Sequence, residues 1–136
     1  MPHLVLLYTP DLEAEADIPA LCHRLADTML QARDDSGKQV FPTGGTRVLA
    51  YPAAHCAVAD GQGDYGFLYA NLRMGLGRSG AVHSAVGDSL LAVLKEVLDP
   101  LLKRRPIGIT LQIDESQAQV YDGKHSSLHP LFNGRA

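Results

Sequence analysis

The chain follows one plan twice, and this repeat constrains its fold more than any other feature. Each half holds a short apolar segment, a loop, a long segment with apolar residues at helical spacing, and a second short apolar segment. A helix that links two strands in this way returns the chain to a parallel strand. Two such units can lay both helices on one face of a four-stranded sheet. The sequence therefore predicts an α/β (α+β) fold of order β-α-β-β-α-β, with halves at about 1–58 and 64–115 and a tail over 116–136.

The first half begins with a strand and continues into a helix. The segment His3–Tyr8 is almost entirely apolar, as expected of a strand that is covered on both faces. Asp17 can cap a helix and Pro19 is tolerated in a first helical turn. Apolar residues then recur at helical spacing, so a helix is predicted over 17–33. The polar segment between strand and helix is predicted to be a connection.

A second strand is predicted after the loop DDSGKQ. It starts near Thr46 with the apolar run TRVLAY, and Pro52 interrupts it. Proline lacks a backbone N–H and is therefore confined to edges and ends of sheets. The segment AHCAV at 54–58 could resume the same strand before the turn cluster DGQGD.

The second half shows the same order. Residues 65–74 alternate between two sets of side chains and predict the third strand. Ser79 is a good helix cap, and an apolar stripe predicts a helix that ends near Arg104, before Pro106. Strict alternation over 107–113 predicts the fourth strand. Because the strands carry apolar residues on both sides, the sheet face away from the helices is expected to be buried by other subunits.

Length and composition narrow the class of protein. A chain of 136 residues most simply forms one domain, and a net charge of −3 gives no electrostatic reason to expect nucleic acid or an anionic membrane as partner. No apolar run approaches the ~20 residues of a spanning helix, and the start lacks the basic region of a signal peptide. The two cysteines are too few for a disulfide framework. The sequence predicts a cytoplasmic domain.

Three segments could carry chemistry. Removal of the initiator Met would leave Pro2 with a free secondary amine, and burial in an apolar pocket would lower the pKa of that amine toward the range of a general base. The turn GLGRS places Arg78 at a helix N-terminus, which is a plausible carboxylate or phosphate site. The run FPTGGTR places Arg47 at the head of the second strand, where a guanidinium could grip a carboxylate. Each has an ordinary alternative: Pro2 begins a strand, and both arginines are solvated or pair with surface acids.

The six histidines do not indicate a metal site. His55 and Cys56 are neighbours and would point to opposite faces of a strand. Pro130 and the nearby serines argue against a helix that could bring His125 and His129 together. His3 and His83 are expected to be surface or packing residues, and no metal is expected.

The motifs together resemble a known family. The start MPH, the segments ADIPAL and FPTGGTR, the stretch VADGQGDYGFLYANLRMGLGRS and the closing ITLQIDE are similar to the 5-carboxymethyl-2-hydroxymuconate isomerases of the tautomerase superfamily. The resemblance covers the chain from Pro2 to about Glu115. The loop DDSGKQ is longer than the usual link in that family, and residues 48–59 match it poorly.

The resemblance carries expectations about structure and activity. It implies a homotrimer of β-α-β-β-α-β subunits with a mixed four-stranded sheet, and a proton transfer that needs no cofactor. Pro2 corresponds to the catalytic proline that Met removal exposes, and Arg47 and Arg78 correspond to arginines that hold substrate carboxylates. The implied substrate is an unsaturated di- or tricarboxylate from aromatic catabolism.

Two other interpretations remain open at the level of sequence. The same scaffold could tautomerise a different 2-oxo acid, or it could remove halide from an unsaturated acid by hydrolysis. In the hydrolysis, Pro2 would act as an acid. The domain could also be a trimer that binds a small anion without catalysis. Retention of Met1 would favour this last interpretation, because the nitrogen of Pro2 would then be an amide.

Overall fold

A computed structural model describes residues 2–116 and 119–132 of the chain. Its strands and helices are β1 (His3–Tyr8), α1 (Leu12–Glu15), α2 (Ile18–Gln31), β2 (Arg47–Pro52), β3 (Gly66–Met74), α3 (Gly80–Leu102) and β4 (Ile107–Glu115). Two 3-10 turns are also present, η1 (Thr43–Gly45) and η2 (His129–Phe132). The order of the long elements is the predicted β-α-β-β-α-β.

The four strands form one mixed sheet in the order β2-β1-β3-β4. β1 is parallel to β2, β3 is parallel to β4, and the central pair β1 and β3 is antiparallel. Each strand–helix–strand unit therefore contributes one parallel pair, as its crossover helix requires. The mixed sheet with its helices confirms the predicted fold class.

Both long helices begin at the residues that the sequence indicates. The Asp17 carboxylate accepts a hydrogen bond from the backbone N–H of Ala20 at 3.0 Å, with Pro19 in the first turn of α2. The Ser79 hydroxyl accepts one from the N–H of Val82 at 3.2 Å. Each cap pairs an N–H that would otherwise lack a partner inside the helix.

The helices bury one face of the sheet. Alternate residues of β1 and β3 on this face are fully or almost fully buried: Leu4, Leu6, Tyr8, Leu68, Ala70, Leu72 and Met74. They pack with the apolar stripes of α2 and α3 in a single core. Because side chains on a strand alternate between faces, the intervening residues of β1 and β3 lie on the opposite face.

That opposite face, called here the open face, has two characters. On β1 and β2 it is apolar beyond the first residues His3 and Arg47, and Leu7, Leu49 and Tyr51 are exposed over 42%, 39% and 49% of their surface. On β4 it is polar and carries Gly108, Thr110, Gln112 and Asp114. The expectation that every strand is apolar on both sides is therefore correct for β1 but wrong for β4. No helix in the described part of the chain is long and apolar enough to cross a membrane.

Several local predictions need correction. Residues 54–58 form no strand, because the segment after Pro52 leaves the sheet at its edge. The polar connection after β1 holds the short helix α1, which Leu12 anchors in the core. Within residues 119–132 the tail forms the turn η2. The rest of the predicted tail, residues 117–118 and 133–136, and Met1 lie outside the described residues.

Candidate active site

Pro2 lies buried immediately before β1. Its carbonyl accepts a hydrogen bond from the backbone N–H of Arg47 at 3.3 Å, which extends the pairing of β1 with β2 by one residue. Because Pro2 precedes β1, its missing backbone N–H removes no hydrogen-bond donor from that strand. The side chain and nitrogen of Pro2 thus belong to the end of the sheet where β1 and β2 begin.

Arg47 is the first residue of β2 and is half-buried. Its guanidinium Nη1 donates to the carbonyl of Gly45 at 3.0 Å, so the side chain is held by the turn η1 from which β2 emerges. The remaining N–H groups of the guanidinium are available to a ligand, since an arginine carries five. This geometry leaves Arg47 able to bind a carboxylate beside Pro2.

The turn η1 is itself held from the C-terminal side of the chain. Gly44 is buried, and a Cβ atom at this position would lie 3.3 Å from the Cα of His129 and 3.4 Å from the ring of Phe132. Only a glycine allows so close an approach of two backbones without displacement. The segment η2 therefore packs directly on the turn that orients Arg47.

Arg78 lies in the turn between β3 and α3, where Gly77 takes a φ of +109° that favours glycine. Its guanidinium donates to the carbonyl of Val40 at 2.8 Å and to that of Gly75 at 3.2 Å. The guanidinium carbon lies 5.3 Å from the centre of the Phe41 ring, which is within the range of a cation–π contact. Arg78 therefore fastens the end of β3 to the loop before η1.

A cleft of about 540 Å³ opens beside Arg78. Its walls are the loop after α2, the turn after β3 and the first turn of α3, contributed by residues that include Lys38, Gln39, Leu76 and Ser79. Asp34 closes the loop by accepting hydrogen bonds from the backbone N–H groups of Ser36 and Lys38. The loop DDSGKQ thus forms one wall of this cleft, and Pro2 and Arg47 do not line it.

The structure brings two of the three predicted residues into contact. Pro2 and Arg47 share a backbone hydrogen bond. Arg78 lies at the same end of the sheet, because β1 and β2 begin where β3 ends. No hydrogen bond joins Arg78 to Pro2 or Arg47 within residues 2–116 and 119–132.

Two further residues belong to this end of the sheet: His3, which the sequence predicted to be a surface or packing residue, and Arg73, which was not singled out. His3 pairs in register with Arg47 on one side and with Arg73 on the other. Partial burial, followed by the positive charge of Arg47, lowers the pKa of His3 below its ordinary value. The alternation in β3 indicated the face on which Arg73 lies, but only the register shows which residues it adjoins.

Metal-binding side chains do not cluster at this end of the sheet. Over the described ranges, 2–116 and 119–132, no group of three or more His, Cys, Asp and Glu residues could hold a metal ion. His55 and Cys56 are exposed and lie in a loop rather than on the predicted strand. Both cysteines are free thiols.

The mixed sheet, the helices on one face and the arrangement around Pro2 define a tautomerase-type fold. Comparison with known proteins supports this class. A crystal structure of a 5-carboxymethyl-2-hydroxymuconate delta-isomerase is 54% identical and superposes with a TM-score of 0.92, over 98% of this chain and 93% of that one. The structure of a 5-carboxymethyl-2-hydroxymuconate isomerase from Deinococcus radiodurans R1 is 31% identical with a TM-score of 0.84, over 97% and 94% of the two chains.

The sequence comparisons agree with the structural ones. The model of the family 5-carboxymethyl-2-hydroxymuconate isomerase matches residues 2–132. The 5-carboxymethyl-2-hydroxymuconate Delta-isomerase of Escherichia coli is 26% identical over 132 residues, which are 97% of this chain and 99% of that protein. The chain therefore belongs to the 5-carboxymethyl-2-hydroxymuconate isomerase family, and it is an isomerase.

Proposed function

We propose that this enzyme moves a proton along an unsaturated 2-hydroxy di- or tricarboxylate of the 5-carboxymethyl-2-hydroxymuconate type. Pro2 is the general base once Met1 has been removed, and Arg47 and Arg78 hold carboxylates of the substrate. The reaction needs no metal or organic cofactor, because the conjugated substrate delocalises its own negative charge. Its metabolic setting in this proposal is the breakdown of aromatic compounds.

The hydrogen bond between Pro2 and Arg47 is the observation that most supports this proposal. It joins Pro2 to the backbone of Arg47 at the head of β2, so the residue that carries the amine and a residue that carries a guanidinium are neighbours. Burial of Pro2 and the nearby positive charge both favour the unprotonated amine, which is the form that accepts a proton. The same positive charge stabilises an anion that develops on the substrate.

The proposed reaction is a proton shift through a conjugated system. Neutral Pro2 takes the proton of the 2-hydroxyl group, and the electron pair of the O–H bond forms the carbonyl π bond. The double bonds shift along the chain, and a carbon further along takes the proton back from Pro2. Arg47 and Arg78 hold the carboxylates so that the nitrogen of Pro2 can reach both the 2-hydroxyl group and the carbon that takes the proton. No atom is gained or lost.

Replacement of Pro2 by alanine tests the assigned base. Pro2→Ala leaves a primary amine after Met removal, with different basicity and position. We expect kcat/KM on 5-carboxymethyl-2-hydroxymuconate to fall about 100-fold, within the range that a general base contributes. Mass spectrometry of each preparation must show that Met1 is absent.

Pro19→Ala is the matched control, because Pro19 is an exposed proline in the first turn of α2 and is not part of the proposed site. We expect its activity to equal that of the parent enzyme. Unchanged turnover in Pro2→Ala would refute the role of Pro2. A prolyl amine that titrates above neutrality would instead favour hydrolytic chemistry, and inactivity towards all 2-hydroxymuconates and 2-oxo acids would favour anion binding without catalysis.

The proposal includes the assembly and the cellular location. The exposed apolar residues of β1 and β2 on the open face are suited to contact other subunits, and the assembly we propose is a homotrimer. The location we propose is the cytoplasm, where two free cysteines stay reduced.

A further inference from the structure

Three side chains form a row across the open face beside Pro2. In the register of the sheet, Arg47 on β2 adjoins His3 on β1, and His3 adjoins Arg73 on β3. Neighbouring strands are separated by about 4.8 Å, so the Cα atoms of the two arginines are about 10 Å apart. Two guanidinium groups on long side chains thus flank one histidine on a single face of the sheet.

Arg73 differs from Arg24 and Arg105 in having no side-chain partner within residues 2–116 and 119–132. Arg24 pairs with Glu96 at 2.7 Å, and Arg105 is bound by carboxylates. Arg73 is exposed, and in the part of the chain that the structure describes its side chain makes no hydrogen bond and no ion pair. An exposed guanidinium without a partner keeps its whole planar set of donors for a ligand.

The acidic residue in register with Arg73 is hydrogen-bonded to another side chain. Asp114 on β4 pairs in register with Arg73, but its carboxylate accepts a hydrogen bond from the Nδ2 group of Asn71 at 2.7 Å. The row of Arg47, His3 and Arg73 carries two guanidinium charges against the one carboxylate of Asp114, so positive charge is in excess. Partial burial and the charge of Arg47 favour the neutral form of His3, which can donate a hydrogen bond from one ring nitrogen. Such a row is complementary to a carboxylate.

The chemistry of the proposed substrate supplies a carboxylate for this position, and this step rests on the proposed function. A 5-carboxymethyl-2-hydroxymuconate carries two carboxylates at the ends of its six-carbon chain and a third on the carboxymethyl branch. Arg47 and Arg78 account for two of them. We infer that Arg73 is a specificity-determining residue, which binds the carboxylate of the branch from the open face.

Two substrates that differ only in the carboxymethyl branch test the role of Arg73. We expect Arg73→Gln to lower kcat/KM about tenfold on 5-carboxymethyl-2-hydroxymuconate, equivalent to about 1.4 kcal/mol, and to leave kcat/KM on 2-hydroxymuconate unchanged. Arg73→Lys should restore part of the loss, because it keeps the charge without the planar fork. Arg104→Gln is the control, since Arg104 is exposed and its only hydrogen bond within residues 2–116 and 119–132 is through the backbone. Equal losses on both substrates, or no loss on either, would overturn the inference.

A measurement without turnover separates this inference from the proposed function. Calorimetric titration of the parent enzyme and of Arg73→Gln with propane-1,2,3-tricarboxylate and with glutarate compares three carboxylates with two. We expect the parent to bind the tricarboxylate about tenfold more tightly than Arg73→Gln does, with equal binding of glutarate. Equal binding of the tricarboxylate by both proteins would refute the role of Arg73. Absence of turnover in the parent with this preference intact would refute the proposed function alone.

Discussion

Arg105 shows how one residue can hold distant parts of the chain together. Its side chain is only 12% exposed, and its guanidinium donates to the carboxylates of Asp11 and Glu15 in the connection after β1. It also donates to the carbonyl of Asp64, just before β3, at 3.1 Å. Three segments that are far apart in sequence therefore meet at one planar group, whose donors match several oxygens at once.

Loss of this group should destabilise the fold. We expect Arg105→Ala to lower the free energy of unfolding by about 1–3 kcal/mol, because several oxygens lose a charged donor while the carboxylates keep partial access to water. Arg104→Ala, next to it and exposed, should change that free energy by less than about 0.5 kcal/mol. Urea unfolding at neutral pH measures both. If the two variants unfold alike, the ion pairs of Arg105 contribute no net stability.

At the scale of elements, the contact between η1 and η2 joins the C-terminal part of the chain to the site. Gly44 of η1 lies against His129 and Phe132 of η2, and the neighbouring Gly45 accepts the hydrogen bond of the Arg47 guanidinium. The tail that the sequence predicts thus packs, over residues 129–132, on the turn behind a proposed substrate ligand. Its separation from the domain at residue 116 stays a prediction.

A methyl group at Gly44 tests this contact. We expect Gly44→Ala to lower the free energy of unfolding by about 1–2 kcal/mol, since the added Cβ must push the backbone of His129 away. Gly80→Ala is the control: no atom lies within 4 Å of the Cβ it would add, and alanine is favoured in a helix. It should be neutral or slightly stabilising. Thermal unfolding compares the two variants. An unchanged free energy of unfolding in Gly44→Ala would mean that η2 moves aside without loss of stability.

At the scale of the whole molecule, the open face is the surface that the proposed assembly would bury. The helices bury the residues of β1 and β3 on the face that they cover. On the open face, Leu49 and Tyr51 of β2 remain exposed. Apolar side chains in adjacent rows of a sheet form a surface that association removes from water. The proposed homotrimer and the proposed site depend on this same face.

A charge on this face should prevent association. We expect the parent enzyme to sediment with the mass of three chains and the double variant Leu49→Asp, Tyr51→Asp to sediment as a monomer, because burial of unpaired carboxylates is unfavourable. Ala92→Asp, on the exposed side of α3, is the control and should keep the mass of the parent. Analytical ultracentrifugation gives the answer. A monomeric parent, or a trimeric double variant, would contradict the proposed assembly.

The sequence by itself determined the local elements. β1 has the predicted bounds, and Asp17 and Ser79 cap the two long helices as expected. These features depend on contacts within a few residues, namely the spacing of apolar side chains and the pairing of the first N–H groups of a helix. The residues Pro2, Arg47 and Arg78 were also chosen from local motifs, and the resemblance to the family related them to one another.

Only the tertiary structure decided which of these elements meet. The antiparallel pairing of β1 with β3 places Arg73 beside His3, and the fold brings Arg78 onto the loop before η1. Neither relation follows from alternation along one strand, because alternation gives the face of a side chain but not its neighbour on the next strand. Register and packing are set by the burial of the whole core, which joins residues far apart in sequence. For this reason the row of Arg47, His3 and Arg73 follows from the tertiary structure and not from the sequence alone.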